Sequence, residues 1–279
     1  AEYTPYSLTC AGDPALQAGD WVKLTGVSNI NGPEVEYSRP SPAIHPETGE
    51  EVPADTPIFM PFSGKKQGLL VEEGTKNLLN GASLLTEAIW LKGCCDVAHL
   101  DDTFQGFPVY RITNDKISGP HYVRRNMASS YVVGDDYAFS VCARRGSHRY
   151  VGLRVHGLSL HAVFDFDNEV LTLNNYERGG FVKLPGGWYK IWISAPALES
   201  PFVGVSVCDS YGRESWDDTI CESVDIAGSI MYEKLPYPTT FTDSIRANPT
   251  TKVTLPEALP AEFGIGIALK MLWGKDDAA

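Results

Sequence analysis

Residues 137–156 read YAFSVCARRGSHRYVGLRVH, and their reading decides the fold. Tyr137, Phe139 and Val141 alternate with Ala138, Ser140 and Cys142. After the turn-like RRGS, Arg149, Val151, Leu153 and Val155 alternate with Tyr150, Gly152, Arg154 and His156. A β-strand sends successive side chains to opposite faces, so a period of two marks strands with one face in a core. The stretch therefore predicts two strands and a connecting turn.

The same texture continues outward. Strands are predicted at Phe107–Thr113, Leu158–Phe166, Glu169–Leu173, Gly179–Leu184, Gly187–Ser194, Val203–Cys208 and Thr219–Tyr232. GDD, HGL, DFDN, RGG, PGG and DSYGR punctuate them every eight to twelve residues or so, the rhythm of an antiparallel sandwich or jelly roll. The 279 residues include 26 Gly, 19 Pro, 13 Tyr and 11 Phe, a composition that favours short strands and turns over long helices. Only Ala82–Lys92 suggests a helical turn or two. The expected fold class is all-β, an antiparallel β-sandwich with a loop-rich N-terminal segment.

Three regions follow. Residues 1–67 are loop-rich: Gly32–Pro61 holds seven prolines, which cannot donate to a strand ladder, and only Trp21–Val27 and Thr56–Met60 read as strands. Residues 68–250 are strand-rich. Residues 251–279 form a C-terminal extension whose apolar Phe263–Trp273 reads as one more strand, needing a partner in its own sheet or in another chain.

The net charge of −12 argues against duplex nucleic acid as a partner, because phosphate binding needs a basic surface. No stretch reaches the roughly 20 apolar residues of a membrane span, so no membrane insertion is expected. AEYTPYSLTC lacks the basic and apolar regions of a signal peptide, as a processed chain also would. The six cysteines, Cys10, Cys94, Cys95, Cys142, Cys208 and Cys221, contain no CxxC pair and read as free thiols. A Cys142–Cys208 bridge is the alternative that geometry can decide.

Several segments carry a resemblance to a known group. GLLVEEGTKNLLNGAS (Gly68–Ser83) with Trp90 resembles the "GLLVE…TNLL…S…W" entry of a β-sandwich found in phage virion proteins. Asp165–Val170 (DFDNEV) resembles their "FDL.TG.V" hairpin, and Pro185–Lys190 (PGGWYK) their "GNGWYR" strand entry. Ile226–Pro238 (IAGSIMYEKLPYP) resembles the closing strand "IWGAQLEAGSFPTSYIPT", and Ser244–Ala247 sits where "VTRAAD" stands in that group. Tyr232, Glu233 and Lys234 replace the usual "QLE", and YAFSVCARRGS is a loose version of "YTLSFYAKAGT". The match covers about 68–250. It implies a jelly roll like a carbohydrate-binding module, in a virion component of the tail-fibre, head-fibre or spike type. Its place would be the virion, assembled in the host cytoplasm. As partners it implies other virion proteins, through residues 1–67 and the C-terminal strand, further copies of the chain, and host-surface polysaccharide.

No catalytic constellation stands out. The histidines (His45, His99, His121, His148, His156, His161) show no HxxxH or HExxH spacing, and there is no GxSxG elbow. The expectation is a non-enzymatic protein without a cofactor. Sugars stack C–H faces on aromatic rings and bond their hydroxyls to planar polar groups. Two places offer that chemistry. In Trp188–Ser194 the better core face is Tyr189, Ile191 and Ile193, which would turn Trp192 outward beside Tyr150, Arg154 and His156. The loop Asp209–Asp218 offers Tyr211, Arg213, Trp216 and Asp217. A structural calcium would draw on Glu72, Glu73, Asn77 and Asp225. The expected function is adhesion to host glycan, with a purely structural capsid or tail role as the first alternative. The second is a polysaccharide-active enzyme or its accessory module.

Overall fold

The alternation in 137–155 becomes two strands on opposite sides of one core. The computed structural model describes residues 88–115, 119–127, 131–155, 161–199, 201–213, 215–216 and 221–235, with shorter stretches at 21–25, 34–39, 42–45, 50–63, 66–70, 75–79, 85–86, 245–246, 250–254 and 266–268. The central strands in chain order are β1 (Leu91–Gly93), β2 (Cys95–Phe104), β3 (Phe107–Asn114), β4 (Tyr122–Asn126), β5 (Asp136–Arg145), β6 (Tyr150–Val155) and β7 (Ala162–Asp165). They continue with β8 (Val170–Thr172), β9 (Arg178–Leu184), β10 (Trp188–Pro196), β11 (Phe202–Val207), β12 (Ser223–Ala227) and β13 (Met231–Glu233).

A six-stranded sheet has the order β8-β7-β6-β11-β4-β1, and a seven-stranded sheet the order β9-β10-β5-β12-β3-β2 with β13 on β5. Their ladders are antiparallel. The chain passes repeatedly between the sheets, as from β4 to β5 to β6, so the RRGS turn is a crossing and not a hairpin. Val123, Val151, Leu153, Val155, Val203, Val205 and Val207 of the six-stranded sheet meet Tyr137, Phe139, Val141, Tyr189, Ile191, Ile193, Val224 and Ile226 of the other in one buried cluster. Each such side chain contributes about 1.5–3 kcal/mol by leaving water. A one-residue slip would turn a whole row outward, so the register is fixed. The protein is an antiparallel β-sandwich of the jelly-roll kind.

The structure departs from the sequence reading in places. Leu85, Thr86, Ala88 and Ile89 lie in turns, and Leu91–Gly93 pairs with Tyr122–Arg124, so no helix forms among the described residues of 82–92. Leu85 and Trp90 are drawn into the core, which fixes this segment as a sheet edge. The predicted strand Thr219–Tyr232 divides into β12 and β13: both pair with β5, but between the Ala143–Ile226 and Ser140–Met231 pairs the chain takes up two extra residues and bulges. Strands β2 and β4 were not predicted. Most of β2 faces solvent, which leaves its sequence little apolar alternation.

The two ends of the chain pair with each other: Glu34–Ser38 with Thr250–Thr254, Thr75–Lys76 with Ile245–Arg246, and Trp21–Thr25 with Gly266–Ala268. The C-terminal strand thus finds a partner within its own chain. Cys142 and Cys208 belong to opposite sheets and both are free thiols, as are Cys94, Cys95 and Cys221. Cys10 lies outside the described residues.

Candidate ligand-binding face

With Val123, Val203, Val205, Val151 and Leu153 committed to the core, the intervening residues of β4, β11 and β6 must face outward. Pairing aligns them in rows. One row runs Leu91, Arg124, Gly204, Arg154; the next runs Gly93, Tyr122, Ser206, Gly152, Val163. Asn126 and Phe202 pair beyond the first row.

Rings and guanidinium groups interleave here. The Arg124 guanidinium lies 4.5 Å from the Tyr122 ring centre and 5.3 Å from that of Phe202. The Arg154 guanidinium lies 5.1 Å from the same Phe202 ring. Tyr122, Arg124, Phe202 and Arg154 therefore form a diagonal ladder of alternating ring and cation, an arrangement favoured by the ring quadrupole. Gly204 between the arginines keeps the ladder flat, since a Cβ there would sit 3.1 Å from Arg124 Cβ.

At one margin the loop after β11 folds back over the sheet. The Asp209 carboxylate accepts from Tyr211 N–H and Arg213 N–H, both at 2.9 Å, and from Arg213 Nε at 2.6 Å. Gly212 O accepts from His161 N–H at 3.1 Å and from His161 Nδ1 at 3.2 Å. Asn174 Nδ2 donates to the carbonyls of His161 and Tyr211. Gly212 has φ +79°, and a Cβ there would lie 2.5 Å from His161 O, so the docking requires glycine. Burial holds the His161 imidazole neutral, with its pKa pushed down to about 3; nearby Arg154 adds to the effect and the Gly212 bond opposes it. Tyr211 is left 68% exposed, with Arg213 5.2 Å from its ring centre.

The structure thus gathers Tyr150, Arg154, Tyr211 and Arg213 on one side of the six-stranded sheet. Tyr150 stands beside Arg149, which is fixed by a two-point bond to Asp165 at 2.8 and 2.7 Å. That bond, reinforced by backbone N–H donors, holds the Asp165 carboxyl at about 2 despite some burial. Trp216 pairs with Gly119 in a short ladder. His156 and Asp217 lie outside the described residues.

Trp192 does not join this face. It does face away from the core, but on the other sheet, and it is only 3% exposed. Its indole lies over Gly180 of β9, where a Cβ would meet Nε1 at 2.9 Å. It shares no face with Tyr150 and Arg154. Tyr122, Arg124 and Phe202 were missed, although YVRRN alternates and could have flagged Tyr122 and Arg124. Phe202 carried no signal, because its outward direction depends on the register of β11.

Of the four residues suggested for a calcium ion, the two that are described have other partners. Asn77 donates to Ile230 O at 3.0 Å and accepts from Leu79 N–H and Tyr232 N–H. Asp225 is clamped between Arg111 (2.7 Å) and Arg144 (3.0 Å). Glu72 and Glu73 lie outside the described residues. Among the described residues no group of three or more His, Cys, Asp or Glu is arranged to hold a metal ion.

No family model and no curated protein matches the chain. Among solved structures, the chain is similar to one from Bacteroides thetaiotaomicron described as a "putative sugar binding protein", at 11% identity and a TM-score of 0.20, over 72% of this chain and 88% of that one. So slight a likeness carries no argument here.

Proposed function

We propose that this chain is a non-enzymatic adhesion component of a phage or phage-like virion, and that the outer face of its six-stranded sheet contacts host-surface glycan. The observation that carries the glycan contact is the Tyr122–Arg124–Phe202–Arg154 ladder, with the exposed Tyr211 on the same side of the sheet. Half-exposed rings offer flat apolar surfaces to sugar C–H faces, and guanidinium groups donate in the plane to hydroxyls. The virion setting rests on the resemblance of segments between Gly68 and Ala247 to phage virion sandwiches. A single shallow face binds weakly, and many copies on one particle convert weak contacts into firm attachment.

The test is a glycan array probed with the full chain, both as the free protein and as a streptavidin-linked multimer. Binding of the multimer to a restricted set of surface polysaccharides is expected. A blank array in both formats would remove the glycan reading. Antibody labelling of intact particles tests the virion assignment separately.

A further inference from the structure

Six arginines of the sandwich are held by carboxylates, and Arg125 by the carbonyl of Leu79. Arg111 and Arg144 are held by Asp225, Arg145 by Asp167, Arg149 by Asp165, Arg178 by Asp136 and Arg213 by Asp209. Arg124 is different. Its contacts are the rings of Tyr122 and Phe202, and among the described residues no carboxylate pairs with it. Its Nε is buried without a hydrogen-bond partner. In a chain of net charge −12, acids are plentiful, so an arginine left to rings alone is a departure from the local rule. Its two terminal nitrogens are not buried in this way and make no hydrogen bond among the described residues either, so they are the part of the guanidinium that a ligand acceptor can reach.

A second cation stands close by. Arg154 shares the row with Arg124 across Gly204, two strands or about 10 Å away along the sheet, and approaches the same Phe202 ring. The two positive groups thus converge on one apolar platform, with Tyr122 flanking it. The planar guanidinium fork matches a carboxylate, and a half-buried site strengthens that bond relative to open water.

We propose that the Arg124–Phe202–Arg154 row is a subsite for a carboxylated sugar, with Arg124 taking the carboxylate and the Tyr122 and Phe202 rings taking the sugar's C–H faces. The proposal rests on the glycan reading above and narrows it to acidic polysaccharide.

The test uses the full chain, multimerised on streptavidin. The probes are oligogalacturonate, alginate oligomers and oligosialic acid, each beside its carboxyl-reduced counterpart, with dextran as a neutral control. At least one acidic probe is expected to bind, to weaken with added salt, and to lose about tenfold or more on carboxyl reduction. The Arg124→Gln variant is expected to lose about tenfold on that probe with an unchanged unfolding midpoint. Carboxyl reduction alters only the ligand, so the reading survives even if the variant fails to fold. Equal binding of acidic and reduced probes would overturn the carboxylate subsite and leave the glycan reading standing. Acidic binding unaffected in folded Arg124→Gln would overturn the assignment to this row. Binding of dextran alone would overturn the acidic specificity, and binding of nothing in the panel would overturn the subsite, with the wider glycan array then deciding the parent reading.

Discussion

The two sheets of the sandwich have the same alternating grammar and opposite outer faces. On the seven-stranded sheet the outward residues Ser140, Trp192, Ser194, Met231 and Glu233 are all buried. Trp188 stacks on Phe104 at 4.4 Å with Arg144 beside it, and Asp225 is closed between two arginines. On the six-stranded sheet, Tyr122, Arg124, Phe202 and Arg154 remain half open. Facing away from the core is therefore not the same as facing water. The indole that looks best in sequence serves packing, and the proposed recognition chemistry draws on smaller rings on the opposite sheet.

The largest expected effect tests the closed face. Trp192→Ala should destabilise the fold by about 3–5 kcal/mol, because a buried indole leaves a cavity. Urea unfolding measures it. A cost below about 1 kcal/mol would mean the indole is solvated, and the contrast between the faces would collapse. Gly180→Ala sharpens the point: its methyl would press on the Trp192 ring, and a loss of about 1–3 kcal/mol is expected from overpacking.

Next comes the buried margin of the open face. His161 is 1% exposed and takes a proton in the folded chain only near pH 3, against about 6.5 when unfolded. Between those values the unfolded chain binds more protons, so stability falls as pH falls from about 6.5 towards 3, by up to ~1.4 kcal/mol per pH unit. Above that window the residue contributes no pH dependence. His161→Gln should flatten this part of the stability–pH profile, followed by thermal unfolding across the range. An unchanged profile would show that the loop does not bury the imidazole.

Asp225→Asn should cost about 1–3 kcal/mol, below the usual figure for breaking a buried pair because Arg111 and Arg144 are partly exposed and can rehydrate. The loss should shrink little in 0.5 M salt, since the carboxylate itself is buried. A loss abolished by salt would make this network an ordinary surface pair.

These contrasts also explain how much the sequence could convey. Period-two runs such as 188–194 carry the core face directly, so Tyr189, Ile191 and Ile193 were legible, and the all-β sandwich with them. Trp192 was not, because its burial depends on what lies over the outer face. Tyr150 and Arg154 could be named from β6 alone. Their neighbours Tyr122, Arg124 and Phe202 join them only through pairing of β4, β11 and β6, strands far apart in sequence. A face is a property of register between strands, and register is invisible to local alternation.

The smallest expected stability effect is at Tyr211, and it separates recognition from folding most cleanly. The ring projects into solvent, while the backbone beneath it is held by Asp209 and by the Gly212–His161 bonds. Tyr211→Ala should therefore shift stability by no more than ~0.5 kcal/mol. If the ring stacks on sugar, about 1 kcal/mol per site is lost, roughly a fivefold weakening of a single contact. On a multimer the loss compounds with each simultaneous contact. Gly212→Ala is the counterpart: left-handed backbone and a Cβ 2.5 Å from His161 O should unseat the loop, lowering binding and stability together. Tyr211→Ala with full binding would exclude the loop from recognition and leave the Arg124–Phe202–Arg154 row to act alone.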